Sequence, residues 1–334
     1  MPFLNHLAID LGTTYSVACL FANDDFLIEP TFVALKNQHK TPLAIGWEAK
    51  EMFGLAPKSI RVVQPLRDGV ISDFEVCSTF LQVLIKKVLN KQRGIVRNVL
   101  FCLPWGATDV EIRAYRKQLE LFPFSRIFLI REPYAAALGA GIPLENPCGQ
   151  LVIDLGGGTT EITILSLNGV VNCISLKVGG NTLDQAIKQD VELRHHFSIG
   201  LKTSETLKIL HGSVAQVKED YAFDIKGFHR ICRFPRQNQI NTADLRLALE
   251  IPTRKILSGI GLALESLTPE LITDISNNGA TLVGGGALLK GWPERIKKRF
   301  NLPVRIPSDP HFCVIKGMKK ILTDLKKFKP LLEE

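Results

Sequence analysis

The sequence predicts an α/β fold built from two similar halves around a central cleft, and three observations carry that expectation. The first is Leu151-Val-Ile-Asp-Leu-Gly-Gly-Gly-Thr-Thr-Glu-Ile-Thr-Ile-Leu165, an apolar strand with one acid, Asp154, then three glycines, then a returning strand. The second is its echo near the start, where Ile9-Asp10-Leu11-Gly12 repeats Ile153-Asp154-Leu155-Gly156 and Thr13-Thr14 stands where the other copy has glycines. A domain-sized interval separates the copies, so the repeat reads as two similar halves facing each other. The third is Ala280-Thr-Leu-Val-Gly-Gly-Gly-Ala-Leu-Leu-Lys290, which reads as strand, glycine turn and helix.

Each stretch has a chemical reading beside a bland one. A carboxylate at the end of a buried strand is costly unless something pairs with it. Gly156, Gly157 and Gly158 let the backbone approach a ligand and aim N–H groups at it. An acid beside such a turn suits a phosphate ligand carrying a metal ion. One copy fits an ordinary hairpin equally well; two copies favour a phosphate clamp between two domains. Gly284, Gly285 and Gly286 at the start of a helix suit a base and ribose or an α-phosphate.

Composition bounds the rest. A chain of 334 residues that is 46% hydrophobic fits two domains with full cores. No run approaches the ~20 apolar residues of a membrane span. Met1-Pro-Phe-Leu-Asn-His-Leu7 lacks a signal-peptide layout, so a cytoplasmic protein is expected. The seven cysteines are scattered with no Cys-x-x-Cys pair, as in reduced, mostly buried thiols. His229 and Cys232 lie three apart without a second pair to complete a metal site. The net charge of +8 is concentrated in Lys297-Lys-Arg299 and between Lys316 and Lys329. No aromatic stacking pattern is interleaved there, so nucleic acid is not expected, while attraction to a membrane surface stays open.

Along the chain, Glu29 to Leu35 reads as one extended strand and Trp47 to Phe53 as a short helix. Phe80, Leu81, Leu84, Ile85, Val88 and Leu89 share one face of a helix over 74–89. Asn98 to Leu103 is a buried strand stopped by Pro104, and Thr108 caps a helix from about Asp109 to Leu121. Arg126 to Ile130 is the next strand. Glu132 and Pro133 then open a thin helix of Ala135, Ala136, Ala137 and Gly139 that allows a neighbour to pack closely. Glu132 reads as a cap or as a site residue at a strand-to-helix junction. Asn168-Gly169 is a hairpin turn. Helices are expected over about 182–195 and 204–210, strands and loops of a small insert over 213–240, a cap at Asn241 or Thr242, and a long helix from about Pro252 to Leu267.

Asp10-Leu-Gly-Thr, Asp154-Leu-Gly-Gly-Gly-Thr and Gly284-Gly-Gly come in an order that resembles the phosphate-1, phosphate-2 and adenosine motifs of the actin, sugar-kinase and heat-shock-chaperone ATPases. Gly69-Val-Ile-Ser-Asp-Phe74, Glu132-Pro-Tyr-Ala-Ala-Ala-Leu-Gly-Ala-Gly-Ile-Pro143, Val152 to Glu161, Leu167-Asn-Gly-Val-Val171 and the stretch from Pro269 to Leu289 narrow the resemblance to the bacterial actins of the MreB family, over roughly Leu7 to Lys320. The resemblance implies a duplicated actin-like, ribonuclease H-like fold. Domain I would span 1–143 with an insert at about 22–72. Domain II would span 144–334 with an insert at about 182–250, and a C-terminal helix would pack back on domain I.

It also implies ATP and Mg²⁺ in the cleft, slow Mg²⁺-dependent hydrolysis coupled to polymerisation, and filaments of the chain with itself that organise wall synthesis and rod shape. Cell-wall elongation membrane proteins and the inner face of the cell membrane are the implied partners. By family match, Asp10 and Asp154 would hold the metal through its water shell, which suits an ion that keeps several waters. Gly12, Thr13, Thr14 and Gly156 to Thr159 would cradle the phosphates. Glu132 would orient the attacking water, with Thr160 beside it and Asp154 in the same catalytic set. Glu205 and Lys208 would meet the ribose, and Gly284, Gly285, Gly286 and Leu288 the nucleoside.

Four features depart from the family. Arg131 stands where an acid often precedes Glu132, Asn181 follows Gly179-Gly180, Leu210 replaces a glutamate near the ribose, and 215–238 and 119–125 match poorly. Such proteins often reach the membrane through an N-terminal amphipathic segment or an apolar loop; here the N-terminus is only Met1-Pro-Phe-Leu4 and Asn90-Lys-Gln-Arg-Gly94 is polar, so direct membrane insertion is not expected. Two other readings stay open: a related filament that positions an organelle or plasmid, and a non-polymerising ATPase or small-molecule kinase of the same superfamily.

Overall fold

The computed structural model describes residues 5–21, 25–36, 41–90 and 96–333. The segments 1–4 and 91–94, which bear on membrane insertion, lie outside the described residues. Two large sheets dominate. From its outer strand inward, one runs Leu27–Pro30, Tyr15–Leu20, Asn5–Leu11, Val96–Leu103 and Arg126–Arg131. The other runs Gly169–Leu176, Thr160–Ser166, Gln150–Leu155, Ala280–Val283 and Val304–Arg305. In each, the first three strands pair antiparallel and the last three parallel. The duplication read from two short motifs is therefore a duplication of whole sheets. The first sheet has one further edge strand, Leu332–Glu333, antiparallel to Arg126–Arg131.

Each sheet is followed by an equivalent helix, Glu132–Gly139 after the first and Cys313–Thr323 after the second. The two helices pack against each other among residues of both sheets, including Ala8, Leu100, Val152 and Val283. A Cβ on Gly139 would lie 1.6 Å from the Cys313 carbonyl oxygen, and one on Gly317 would lie 1.8 Å from that of Ala135. Small residues thus bring two backbones into contact, as the thin helix at Ala135 to Gly139 requires. The other faces of the sheets carry separate cores, around Phe80, Phe101 and Tyr115 in one half and around Ile162, Ile187 and Trp292 in the other.

Local chemistry explains most boundaries. Asp73 caps the helix Phe74–Leu89, accepting from the Val76 N–H. Thr108 and Glu111 form a capping box at Asp109–Leu119. Leu167 and Asn168 both take positive φ, 50° and 60°, as a two-residue hairpin turn with the strand twist requires. The second half also carries the three-stranded sheet of Phe197–Ser198, Ala222–His229 and Phe234–Asn241, and the first half carries the sheet of Pro42–Ile45, Val33–Lys36 and Ile60–Val63.

Three expectations are corrected. The stretch Glu29 to Leu35 is two strands, Leu27–Pro30 and Val33–Lys36, because the chain turns at Thr31, whose hydroxyl bonds the Gly12 carbonyl at 2.7 Å. One helix, Thr242–Glu265, runs through the buried Pro252, which forgoes one helix hydrogen bond within a long apolar face. Gly284 to Gly286 lead only into a short 3₁₀ turn, Gly285–Leu288; the next helix starts at Trp292. The anion-binding helix terminus expected there is absent.

Candidate functional site

Asp10 and Asp154 sit one residue before the ends of equivalent central strands, so the pseudo-symmetry brings both carboxyls to one cleft. The glycine turns that follow touch each other. A Cβ on Gly157 would lie 1.9 Å from the Thr14 hydroxyl, and one on Gly158 would lie 2.7 Å from that of Thr13. Gly12 is needed where an added Cβ would meet the Tyr15 carbonyl oxygen at 2.4 Å. The carbonyls of Gly156 and Gly157 accept from Gly180 and Asn181 N–H groups at 3.0 and 2.8 Å, and Asn181 accepts from the Thr14 hydroxyl at 3.2 Å. Gly284, at φ 81°, packs where a Cβ would meet an Asp154 oxygen at 2.3 Å. Three glycine segments thus meet edge to edge.

They wall a cavity of about 530 Å³ between the halves. Asp10, Gly12, Thr13, Thr14, Glu132, Asp154, Gly156 and Gly157 line it. Glu205, Lys208, Gly284, Gly285, Gly286 and the exposed Leu288 line it as well. Gly158, Thr159 and Thr160 do not line it. Gly158 packs on Thr13, and Thr159 lies beneath Gly69. Thr160 is fully buried and donates to the Val178 carbonyl at 2.7 Å. That hydrogen bond ties the start of its strand to the segment leading to Gly179.

The buried acids beside the cavity crowd one another. Asp10 is pushed up to about 7, by burial and then by Asp154. Burial pushes Asp154 to about 7 as well. Glu132 is raised well above the usual carboxylate range, by burial first and then by Glu161, Asp154 and Asp10. One Asp154 oxygen, Oδ2, is buried without a hydrogen-bond partner. An unpartnered oxygen on a buried acid, opposed to a second acid, is the donor set a hydrated divalent cation would neutralise. Among the described residues no three His, Cys, Asp or Glu side chains converge as a ligand cage, and Mg²⁺ bound mainly through waters and substrate phosphates needs none.

Two site residues escaped sequence reading. Glu161 is directly opposite Asp154 across the antiparallel pair and only 3% exposed. Its Oε1 accepts from the Trp105 N–H at 3.0 Å, while Oε2 has no partner. Burial and then Asp154 push it to about 8 against the pull of the Trp105 N–H and Arg131. The alternation of Glu161 and Thr163 with Thr160, Ile162 and Ile164 reads as a strand with one wet face, yet Thr160–Leu165 is buried on both faces. Lys50, on the short helix Trp47–Met52, lies 2.9 Å from Glu205 and 2.7 Å from the Tyr15 hydroxyl. Burial pulls its pKa down, but the hydrogen bonds to Tyr15 and Glu205 outweigh that and raise it. No local pattern marks it. Lys208 is held by Asp184 at 2.8 Å and by the Gly180 carbonyl at 3.0 Å.

Two sheets of equal strand order, clasped about a cleft walled by three glycine segments, define the actin-like fold class. The MreB/Mbl protein family model matches residues 4–330, and the chain belongs to that family. It is 38% identical to the cell shape-determining protein MreB of Escherichia coli (strain K12) over 96% of this chain and 94% of that protein. It is 33% identical to the cell shape-determining protein Mbl of Bacillus subtilis (strain 168), over 97% and 98%. MreB 5 of Spiroplasma citri bound to AMPPNP superposes with a TM-score of 0.92 at 33% identity, covering 99% of each chain. The MamK double helical filament has the same fold, with a TM-score of 0.79 at 20% identity. Among the described residues no helix is long and apolar enough to cross a membrane.

Proposed function

We propose that the chain is a nucleotide-dependent cytoskeletal filament protein that binds ATP with Mg²⁺ in the cleft, hydrolyses it slowly, and assembles with copies of itself to organise cell-wall synthesis and rod shape. The observation that carries this reading is the meeting of Asp10 and Asp154 beside two interlocked glycine turns. The relatives' names speak of cell shape, and the Spiroplasma citri protein is described with AMPPNP and with ADP. Cytoplasmic location, work at the inner face of the membrane, and contact with cell-wall elongation membrane proteins belong to the same proposal. So does a division into domains 1–143 and 144–334.

In this reading Asp10 and Asp154 would hold Mg²⁺, which would supply charge neutralisation at the phosphates. Backbone N–H groups of the two turns position the phosphate chain. Phosphoryl transfer to water is chiefly a matter of positioning and charge stabilisation. Glu132, a carboxylate at the cavity wall, orients the attacking water and takes its hydrogen bond. Lys208, fixed by Asp184 and Gly180, presents its cation to the ribose side. Glu205 reaches the same side but shares its carboxylate with Lys50. Calorimetric titration of ATP with and without Mg²⁺ tests the site. Binding that strengthens with Mg²⁺ in the wild type and loses that dependence in Asp10→Ala supports it. Equal binding in both proteins counts against it.

A further inference from the structure

Arg131 makes a set of contacts that reach from the edge of the first sheet to the acids of the cleft. Its Nε lies 2.7 Å from Glu333 Oε1, on the strand that caps the sheet edge beside Arg126–Arg131. Its Nη1 points at three carbonyl oxygens of one loop, those of Pro104 and Trp105 at 3.3 Å and Ala107 at 3.4 Å. The N–H of that same Trp105 makes the hydrogen bond to the buried Glu161. A planar guanidinium is suited to holding several oxygens in a fixed fork, which a lysine ammonium does not reproduce.

We propose that Arg131 is a positioning residue for the hydrolysis reaction: pinned by Glu333, it holds the 104–107 loop so that the Trp105 N–H fixes Glu161 beside Asp154 and Glu132. The inference rests on the hydrolysis reading above and adds to it a second carboxylate and its support. Glu161 has one hydrogen-bond donor, and that donor comes from a loop that leaves its own strand at Leu103. If the loop drifts, Glu161 keeps its buried position opposite Asp154 but loses its orientation, and Glu132 meets a differently placed neighbour. Misplacement of a reacting group by about 1 Å costs up to ~10²-fold in rate. A support acting through a loop is expected to matter less. Glu333 is 41% exposed at its side chain and does not line the cavity, so replacing it removes no lining side chain.

The test compares Glu333→Ala, Arg131→Gln and Arg131→Lys with the wild type, measuring steady-state hydrolysis with ATP and Mg²⁺ and, separately, hydrogen exchange of the 104–107 amides by mass spectrometry. The expected result is a fall in kcat of about fivefold for Glu333→Ala and more for Arg131→Gln, with KM within about twofold. Faster exchange at Trp105 should accompany it, and Arg131→Lys should recover only part of the rate. Unchanged exchange at Trp105 in Arg131→Gln overturns the proposal whether or not the chain hydrolyses ATP. Loss of kcat in step with a rise in KM, or full recovery by lysine, also overturns it. If Arg131→Gln does not fold, Glu333→Ala decides by the same two measurements.

Discussion

The Lys50 ammonium lies 2.9 Å from the Glu205 carboxylate, and this ion pair joins a short helix of the first half to a helix of the second, where Glu205 lines the cavity. Both side chains are mostly buried, at 15% and 22% exposure. The Thr14–Asn181 hydrogen bond is a second tie between the halves. Both contacts hold the halves together beside the cavity.

Lys50→Ala should therefore release nucleotide faster. A partly buried pair is worth roughly 1 kcal/mol, which corresponds to about a fivefold change in rate. Stopped-flow displacement of a fluorescent nucleotide checks it. Glu205→Gln should act alike, and a double variant no faster than either single one would assign the effect to the pair.

If Glu132 has the proposed role of orienting the water, Glu132→Ala should keep ATP binding and slow the appearance of inorganic phosphate by about 10²-fold. Asp154→Ala should instead weaken Mg²⁺-dependent binding. Turnover unchanged in Glu132→Ala would remove it from the catalytic role.

The acid cluster predicts a pH dependence of the ligand-free protein. Asp10 and Asp154 rise from 3.8 to about 7 in the fold, and Glu161 rises from 4.5 to about 8. The folded state thus binds more protons than the unfolded one between about pH 4 and 8, so this cluster lowers stability as pH rises through that window. Thermal unfolding without ligand should give a lower Tm at pH 8 than at pH 6. Asp154→Asn should flatten the difference, and ATP with Mg²⁺ should bind more tightly at pH 8. A Tm that climbs steadily from pH 6 to pH 8 would contradict the assignment.

The helix pair between the sheets makes a structural prediction. Gly317→Ala places a Cβ 1.8 Å from the Ala135 carbonyl oxygen, and the backbone must move. A cost of about 2–3 kcal/mol is expected, read as a shift in the denaturant midpoint. Gly261→Ala, whose added Cβ would sit 3.7 Å from Phe300, should cost far less.

Much of this site was legible because it is local. Asp10 and Asp154 each precede a glycine turn within a few residues, and the repetition of Ile-Asp-Leu-Gly revealed the pseudo-symmetry that the two sheets display in full. The cap at Thr108 was equally readable, since a cap is a contact across three residues. What escaped depends on long-range packing. Glu161 looks like the wet face of a hairpin until helices cover both sides of its strand. Thr160 looks available until Val178 takes its hydroxyl. Lys50 acquires meaning only from Glu205, far along the chain. Pro252 reads as a helix start, yet buried apolar neighbours on both sides carry the helix through it.

The central claim is that nucleotide in this cleft governs assembly of the chain with itself. Sedimentation with ATP and Mg²⁺, with negative-stain electron microscopy of the pellet, tests it most directly. The account predicts filaments in the wild type with ATP and Mg²⁺, and few or none in Asp154→Ala or without nucleotide. A chain that binds ATP with Mg²⁺ yet stays monomeric across salt and nucleotide conditions would contradict it.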